Sequence, residues 1–175
     1  MSQATFSIVL SWLTVFGQAL VIILLVLYVT KKLPKVTNFF RTHAILFSFI
    51  VVLAAVLGSL TYSDIYMIEP CKLCWYQRIF MYPQFVILGL SLILKDTRAA
   101  FYALILSILG APIALYHYLL QRGVVEAGCS VVGNYSVSCS QYFKLNLGYI
   151  TIPLMAFTAF VMIITFLLIY RSKEV

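Results

Sequence analysis

Charge is what this sequence has least of. Only 10% of its 175 residues are charged and 63% are hydrophobic, with a mean hydropathy of +1.05. A soluble domain of this size carries about 25% charged residues. The scarcity excludes a soluble globular protein and makes the chain an integral membrane protein. Its formal charge of +7 would suit nucleic acid, but the twelve basic side chains stand in small groups between apolar runs. That distribution fits membrane topology, not a stripe that tracks phosphates. No Gly-x-Gly-x-x-Gly occurs, so nothing indicates a nucleotide fold. Internal repeats, low-complexity segments and any stretch resembling a soluble domain are also missing.

What is there are five apolar runs, Phe6–Thr30, Ala44–Tyr62, Trp75–Leu94, Ala99–Leu120 and Tyr149–Tyr170. Each is long enough to cross about 30 Å of hydrocarbon as a helix, which takes roughly 20 residues. The first exceeds the apolar core of a signal peptide, and no basic side chain precedes it, so it reads as a retained span. The expected fold is all-α: a polytopic membrane protein with a four-helix transmembrane bundle and one additional N-terminal transmembrane helix. Residues 1–41 supply the extra helix and a cytoplasmic linker, and residues 42–175 supply the bundle.

Orientation follows from the basic residues. Lys31, Lys32, Lys35, Arg41, Lys95, Arg98, Arg171 and Lys173 fall on one side of the membrane, and Lys72, Arg78, Arg122 and Lys144 on the other. The richer side is expected to be cytoplasmic. The N-terminus is then outside and the C-terminus inside. All four cysteines, Cys71, Cys74, Cys129 and Cys139, fall on the outer face, where disulfide chemistry belongs. The inner connection Lys95–Arg98 is tight, which makes the third and fourth spans antiparallel neighbours. The outer segment Gln121–Gly148 is far longer and holds Cys129 and Cys139.

Cys71 and Cys74 form a Cys-x-x-Cys in the first turn of the third span, where unpaired N–H groups and the helix dipole favour a thiolate. Such pairs are redox equipment more often than structural crosslinks. Arg78, four residues after Cys74, shares its helical face and is the one formally charged residue inside the five spans. It reads either as an arginine snorkelling to lipid phosphates or as a cation that steadies a thiolate and a developing oxyanion. His117, near the outer end of the fourth span, sits at a depth similar to Arg78. It is either an interfacial histidine among belt tyrosines or, with Arg78, a ligand for the carbonyl oxygens of a quinone head group. His43 lies at the opposite, cytoplasmic end of the second span and reads as interfacial. Two histidines on opposite sides exclude bis-His haem, and Trp75 stands where c-type haem attachment needs histidine.

The outer pair, Cys129 and Cys139, has nine intervening residues. That spacing departs from the two close pairs of a zinc ribbon, so no metal site is expected. As a permanent disulfide the pair would contribute roughly 3 kcal/mol through loop entropy. Beside a second pair on the same face, it is also placed for thiol–disulfide exchange.

The run Cys71-Lys72-Leu73-Cys74-Trp75-Tyr76-Gln77-Arg78, with Tyr116-His117-Tyr118 and the later outer cysteine pair, resembles the DsbB family of thiol:quinone oxidoreductases. It is most similar to the family's BdbC branch. The resemblance covers about Ala44 to Tyr170 and leaves the first span unaccounted for. It implies that Cys74 engages a membrane quinone (menaquinone or ubiquinone) and that Cys71 is its partner facing the outer loop. Cys129 and Cys139 would exchange with a reduced thioredoxin-like oxidase of DsbA or BdbD type. Arg78 would bind the quinone, with His117 near it. The position before the arginine is often glutamate in the family; here it is Gln77, to which no catalytic role is assigned. Two competing readings stand beside this one. One is an enzyme like vitamin K epoxide reductase, whose redox motif typically follows the second cysteine pair. The other is a non-enzymatic membrane protein with two structural disulfides.

Overall fold

The computed structural model describes residues 2–30, 34–125, 139 and 148–171, with Pro34 described by its backbone alone. Among these residues there are six α-helices and no strand: α1 Gln3–Thr30, α2 Pro34–Thr42, α3 Ala44–Leu60, α4 Lys72–Leu94, α5 Ala99–Gln121 and α6 Ile152–Arg171. A π-helical turn, Thr61–Ile65, extends α3. With that extension, α1, α3, α4, α5 and α6 are each long and apolar enough to cross a membrane. The chain is thus a polytopic helical membrane protein. The expected spans agree with the observed helices to within three residues at each end.

Helices α3 to α6 form a closed ring in which α4 packs on α3 and α5, and α6 packs on α5 and α3. Small residues permit the close approaches, as they must where lipid supplies no hydrophobic drive for helix association. Phe160 of α6 occupies the space that a Cβ on Gly110 of α5 would fill. Between α4 and α5, Ser107 Oγ donates to Gln84 Oε1 at 3.0 Å, while Gln84 Nε2 donates to the Phe80 carbonyl at 2.9 Å. Gln84 and Ser107 are both fully buried. Their polar atoms are satisfied by each other and by the helix backbone, as membrane burial demands. The α4–α5 turn is closed by Lys95 in the left-handed conformation at φ 55°. Asp96 Oδ1 there accepts the Arg98 N–H at 2.9 Å.

Helix α1 is docked on the outside of the ring against α6. Its buried positions, Ser7, Ser11, Thr14, Gly17, Val21 and Leu24, recur every three or four residues and so form one face. A Cβ on Gly17 would meet Met162 Sδ at 2.7 Å. Polar contacts add direction: Gln18 Nε2 donates to Thr158 Oγ1 at 3.2 Å, and Tyr62 Oη donates to Ser7 Oγ at 3.1 Å. The Ser7 contact places the N-terminal end of α1 at the same end of the bundle as the cysteine-bearing start of α4. Much of the expected linker before α3 is the short helix α2. Phe40 from it stacks on Phe166 of α6, centroids 6.1 Å apart, and packs on Phe47 of α3 at 5.2 Å.

Candidate functional site

The site is built at the first turn of α4. Cys71 is the residue that caps the helix, in extended conformation at φ −69° and ψ 172°, and its carbonyl accepts the Trp75 N–H at 3.1 Å. Cys74 falls one turn later, which brings the two sulfurs to 3.5 Å, with Cys71 donating. This donation to Cys74, and after it burial, push the Cys71 thiol up to about 12, against a weaker opposing effect of His117. The thiol that keeps its proton is therefore Cys71, and Cys74 is the sulfur that receives a hydrogen bond.

His117 is almost completely buried. Its Nε2 lies 3.6 Å from Cys71 Sγ, and its Nδ1 lies 2.9 Å from Gln77 Nε2. With the Gln77 amide donating to Nδ1, the imidazole proton sits on Nε2 and faces the Cys71 sulfur. His117 and Arg78, expected at similar depth, have side chains that hold different things. His117 is engaged by Gln77 and Cys71. Arg78 turns to α3, where Nε donates to Ser59 Oγ at 3.0 Å and Nη2 to the Ser59 carbonyl at 3.2 Å. Tyr82 Oη donates to the same Ser59 hydroxyl at 3.2 Å. The guanidinium also lies 5.5 Å from the Trp75 ring centroid and 5.9 Å from that of Tyr82. All these contacts are to neutral groups. They fix the geometry of Arg78 without cancelling its charge, and they commit two of its five N–H donors.

Cys139 is buried in one apolar cluster with Cys71, Leu73 and Leu120, with Cys74 packed against it. One cysteine from the long segment between α5 and α6 thus meets the Cys-x-x-Cys. Cys129 lies outside the described residues. Among the described residues, Cys71, Cys74 and His117 bring three ligand atoms within 4.8 Å of one another; a structural zinc site takes four.

Cys71, Cys74, Gln77, Arg78, Tyr82, His117 and Cys139 all line a single cavity of about 550 Å³. From this cysteine end it continues as an apolar cleft between α1, α3 and α6. Its composition suits an amphipathic ligand: three cysteine sulfurs, an amide and a fixed cation at one end, and aliphatic and aromatic walls beyond. Sequence reasoning left out Gln77, Ser59 and Tyr82. Gln77 carried one usable signal, because an amide inside a span needs a partner and the facing span offers His117.

The chain matches the family model described as disulfide bond formation protein DsbB over residues 41–170. It is 42% identical over 127 residues to disulfide bond formation protein C of Bacillus subtilis, covering 73% of this chain and 91% of that protein. It is 44% identical over 128 residues to the probable disulfide formation protein C of Halalkalibacterium halodurans, covering 72% and 92%. With the probable disulfide formation protein of Oceanobacillus iheyensis it shares 38% identity over 146 residues, covering 82% and 97%. No solved structure matches. The family match begins at residue 41, so all of α1 lies outside it.

Proposed function

The chain belongs to the DsbB family of disulfide bond formation proteins, and from that premise we propose that it is a thiol:quinone oxidoreductase. In this reading it re-oxidises a thioredoxin-like disulfide-forming partner on the extracytoplasmic face and passes the electrons to a membrane quinone. The observation that carries the reading is the contact of Cys71 and Cys74 at 3.5 Å above a cavity that also holds Arg78. The orientation is supported by the basic residues, which are denser on the side away from the cysteines. It places the N-terminus outside and the C-terminus in the cytoplasm.

The reduced partner's thiolate attacks the Cys129–Cys139 disulfide, and the partner's second thiol releases it as a disulfide. The outer pair is left as a dithiol. One of its thiolates attacks Cys71 in the disulfide form of Cys71–Cys74, and Cys74 leaves as a thiolate. The second outer thiol then attacks the outer sulfur of that mixed disulfide, which re-forms the Cys129–Cys139 disulfide and releases Cys71 with the electron pair now on the inner pair. His117 acts on Cys71 in this step: the Nε2 proton stabilises that sulfur as a departing thiolate, and Gln77 keeps the ring turned toward it. Once Cys71 is protonated, its S–H is donated to Cys74, which leaves Cys74 as the sulfur exposed to the cavity. Arg78 supplies fixed positive charge beside Cys74, worth most in a site from which water is excluded. A quinone bound there, against Cys74 and Arg78, supplies the sink for the electron pair. Every 30 mV between donor and acceptor is about 1.4 kcal/mol for this couple, so a strongly oxidising partner needs an acceptor of higher potential still.

The test is anaerobic quinone reduction by purified protein with a reduced thioredoxin-like oxidase as donor. Turnover in the wild type and its loss in Cys74→Ser is the expected result. Full turnover in Cys74→Ser would exclude the mechanism.

A further inference from the structure

The family match stops short of α1, but the cavity does not. Leu10, Leu13, Phe16 and Leu20 of α1 line the same space as Cys74 and Arg78. These residues lie off the small-residue face with which α1 docks on α6. At the outer end the cavity is pinched: Leu10 Cδ1 stands 3.5 Å from where a Gly58 Cβ would be, one residue from the Ser59 that holds Arg78. Deeper in, α1 leans on α6, and the space left beside α3 is the cleft. Its α3 wall is kept low by Ala54, Ala55 and Gly58, and its inner end is floored by Phe40, Phe47 and Phe166. Those three rings pack on one another at 5.2 to 6.1 Å. From Phe47 to Ser59 the cleft follows thirteen residues of α3, a rise of about 18 Å.

A space with a cation and a thiol at one end and a largely apolar run down the bilayer has the shape of a head group with a tail. We infer that α1 is a quinone-tail-binding element: Leu10, Leu13, Phe16 and Leu20 form the third wall of the cleft between α3 and α6. They hold the isoprenoid chain whose head group lies at Cys74 and Arg78. The inference rests on the thiol:quinone reading and assigns a task to the long apolar helix that the family match omits. Without α1 the α3–α6 cleft would open to lipid acyl chains, which would compete with the tail for the same surface.

The experiment measures binding rather than turnover. Full-length protein in lipid nanodiscs, in a Trp12→Phe background, leaves Trp75 as the fluorophore, its ring beside Arg78. Quenching is titrated with menadione, which has no tail, and with a menaquinone bearing a four-unit isoprenoid tail. The wild-type background is expected to favour the tailed quinone. Leu13→Ala/Phe16→Ala, which strips the α1 wall, and Ala54→Phe, which fills the cleft from α3, are each expected to weaken the tailed quinone about tenfold. Menadione affinity is expected to stay within about twofold, which also reports an intact head-group end. Equal weakening of both ligands in both variants, or no change in either, would overturn the assignment. Wild-type protein that binds neither quinone would overturn the thiol:quinone reading itself, before any variant is compared. Tail-selective binding without turnover would uphold the assignment while removing the relay.

Discussion

Gln77 and Gln84 stand seven residues apart on one face of α4. Both are buried, and both reach across to α5. What they hold differs. Gln84 meets Ser107 and its own helix backbone, so the contact ends in neutral, fully satisfied groups. Gln77 meets His117, whose other nitrogen faces Cys71, which donates to Cys74. The same amide on the same two helices is a clamp at the level of Ser107 and the first member of a chain to sulfur at the level of His117. Burial and hydrogen bonding alone do not distinguish structure from chemistry in this bundle. What the partner can do with a proton or an electron pair does.

The comparison breaks most severely at its sulfur end. Cys74→Ser is expected to reduce quinone turnover on the order of 10⁴-fold or more, the scale of losing a group that bonds in the reaction. An anaerobic assay of quinone reduction reads this directly. Next comes the asymmetry of the two thiols. A thiol held at about 12, against 9.0 for the unperturbed group, gains its negative charge only as pH rises through 12. At pH 8 its thiolate fraction is about a thousandfold below that of an ordinary cysteine. Limited alkylation of the dithiol protein, mapped by mass spectrometry, is expected to mark Cys74 before Cys71. The reverse order would remove the donor role given to Cys71.

Smaller effects separate the two glutamines. Arg78→Met is expected to lower turnover about 10²-fold, as the loss of one preorganised charge does, with Cys71–Cys74 still exchanging with the outer pair. Gln77→Leu is expected to lower kcat about tenfold with little change in KM for quinone, because it frees the ring facing Cys71 without touching the cavity's apolar walls. Gln84→Leu is expected to leave kcat unchanged and to cost about 0.6 kcal/mol of stability, the average for a hydrogen bond within a membrane bundle. Steady-state kinetics and thermal unfolding in detergent distinguish the pair. Equal kinetic losses in both glutamine variants would erase the distinction.

Much of this arrangement was legible before any coordinates. Hydrophobic runs of near-constant length gave the five spans, and the tight Lys95–Arg98 turn made α4 and α5 neighbours. The spacing of Cys71, Cys74 and Arg78 put them in the first turns of one helix. What could not be read were contacts that depend on the register between helices. Ser59 and Tyr82 hold Arg78 only because α3 and α4 meet at that level. His117 faces Cys71 only because α5 is rotated to place it between Gln77 and the sulfurs. Gln77 was passed over because a neutral amide announces nothing until its partner is known. Helix α2 was read as linker because it is too short to carry a spanning signal, and its anchor, Phe40, finds a partner only on α6.

The relay makes one demand that a pair of static disulfides does not: the redox state of Cys71–Cys74 must follow both partner and quinone. Acid-quenched thiol trapping of the purified protein under anaerobic conditions reads this. After addition of a reduced thioredoxin-like oxidase, Cys71 and Cys74 are expected to become alkylatable within one turnover, and to return to the protected, oxidised form when quinone is added. A pair that stays oxidised whatever the supply of partner and quinone would contradict the relay.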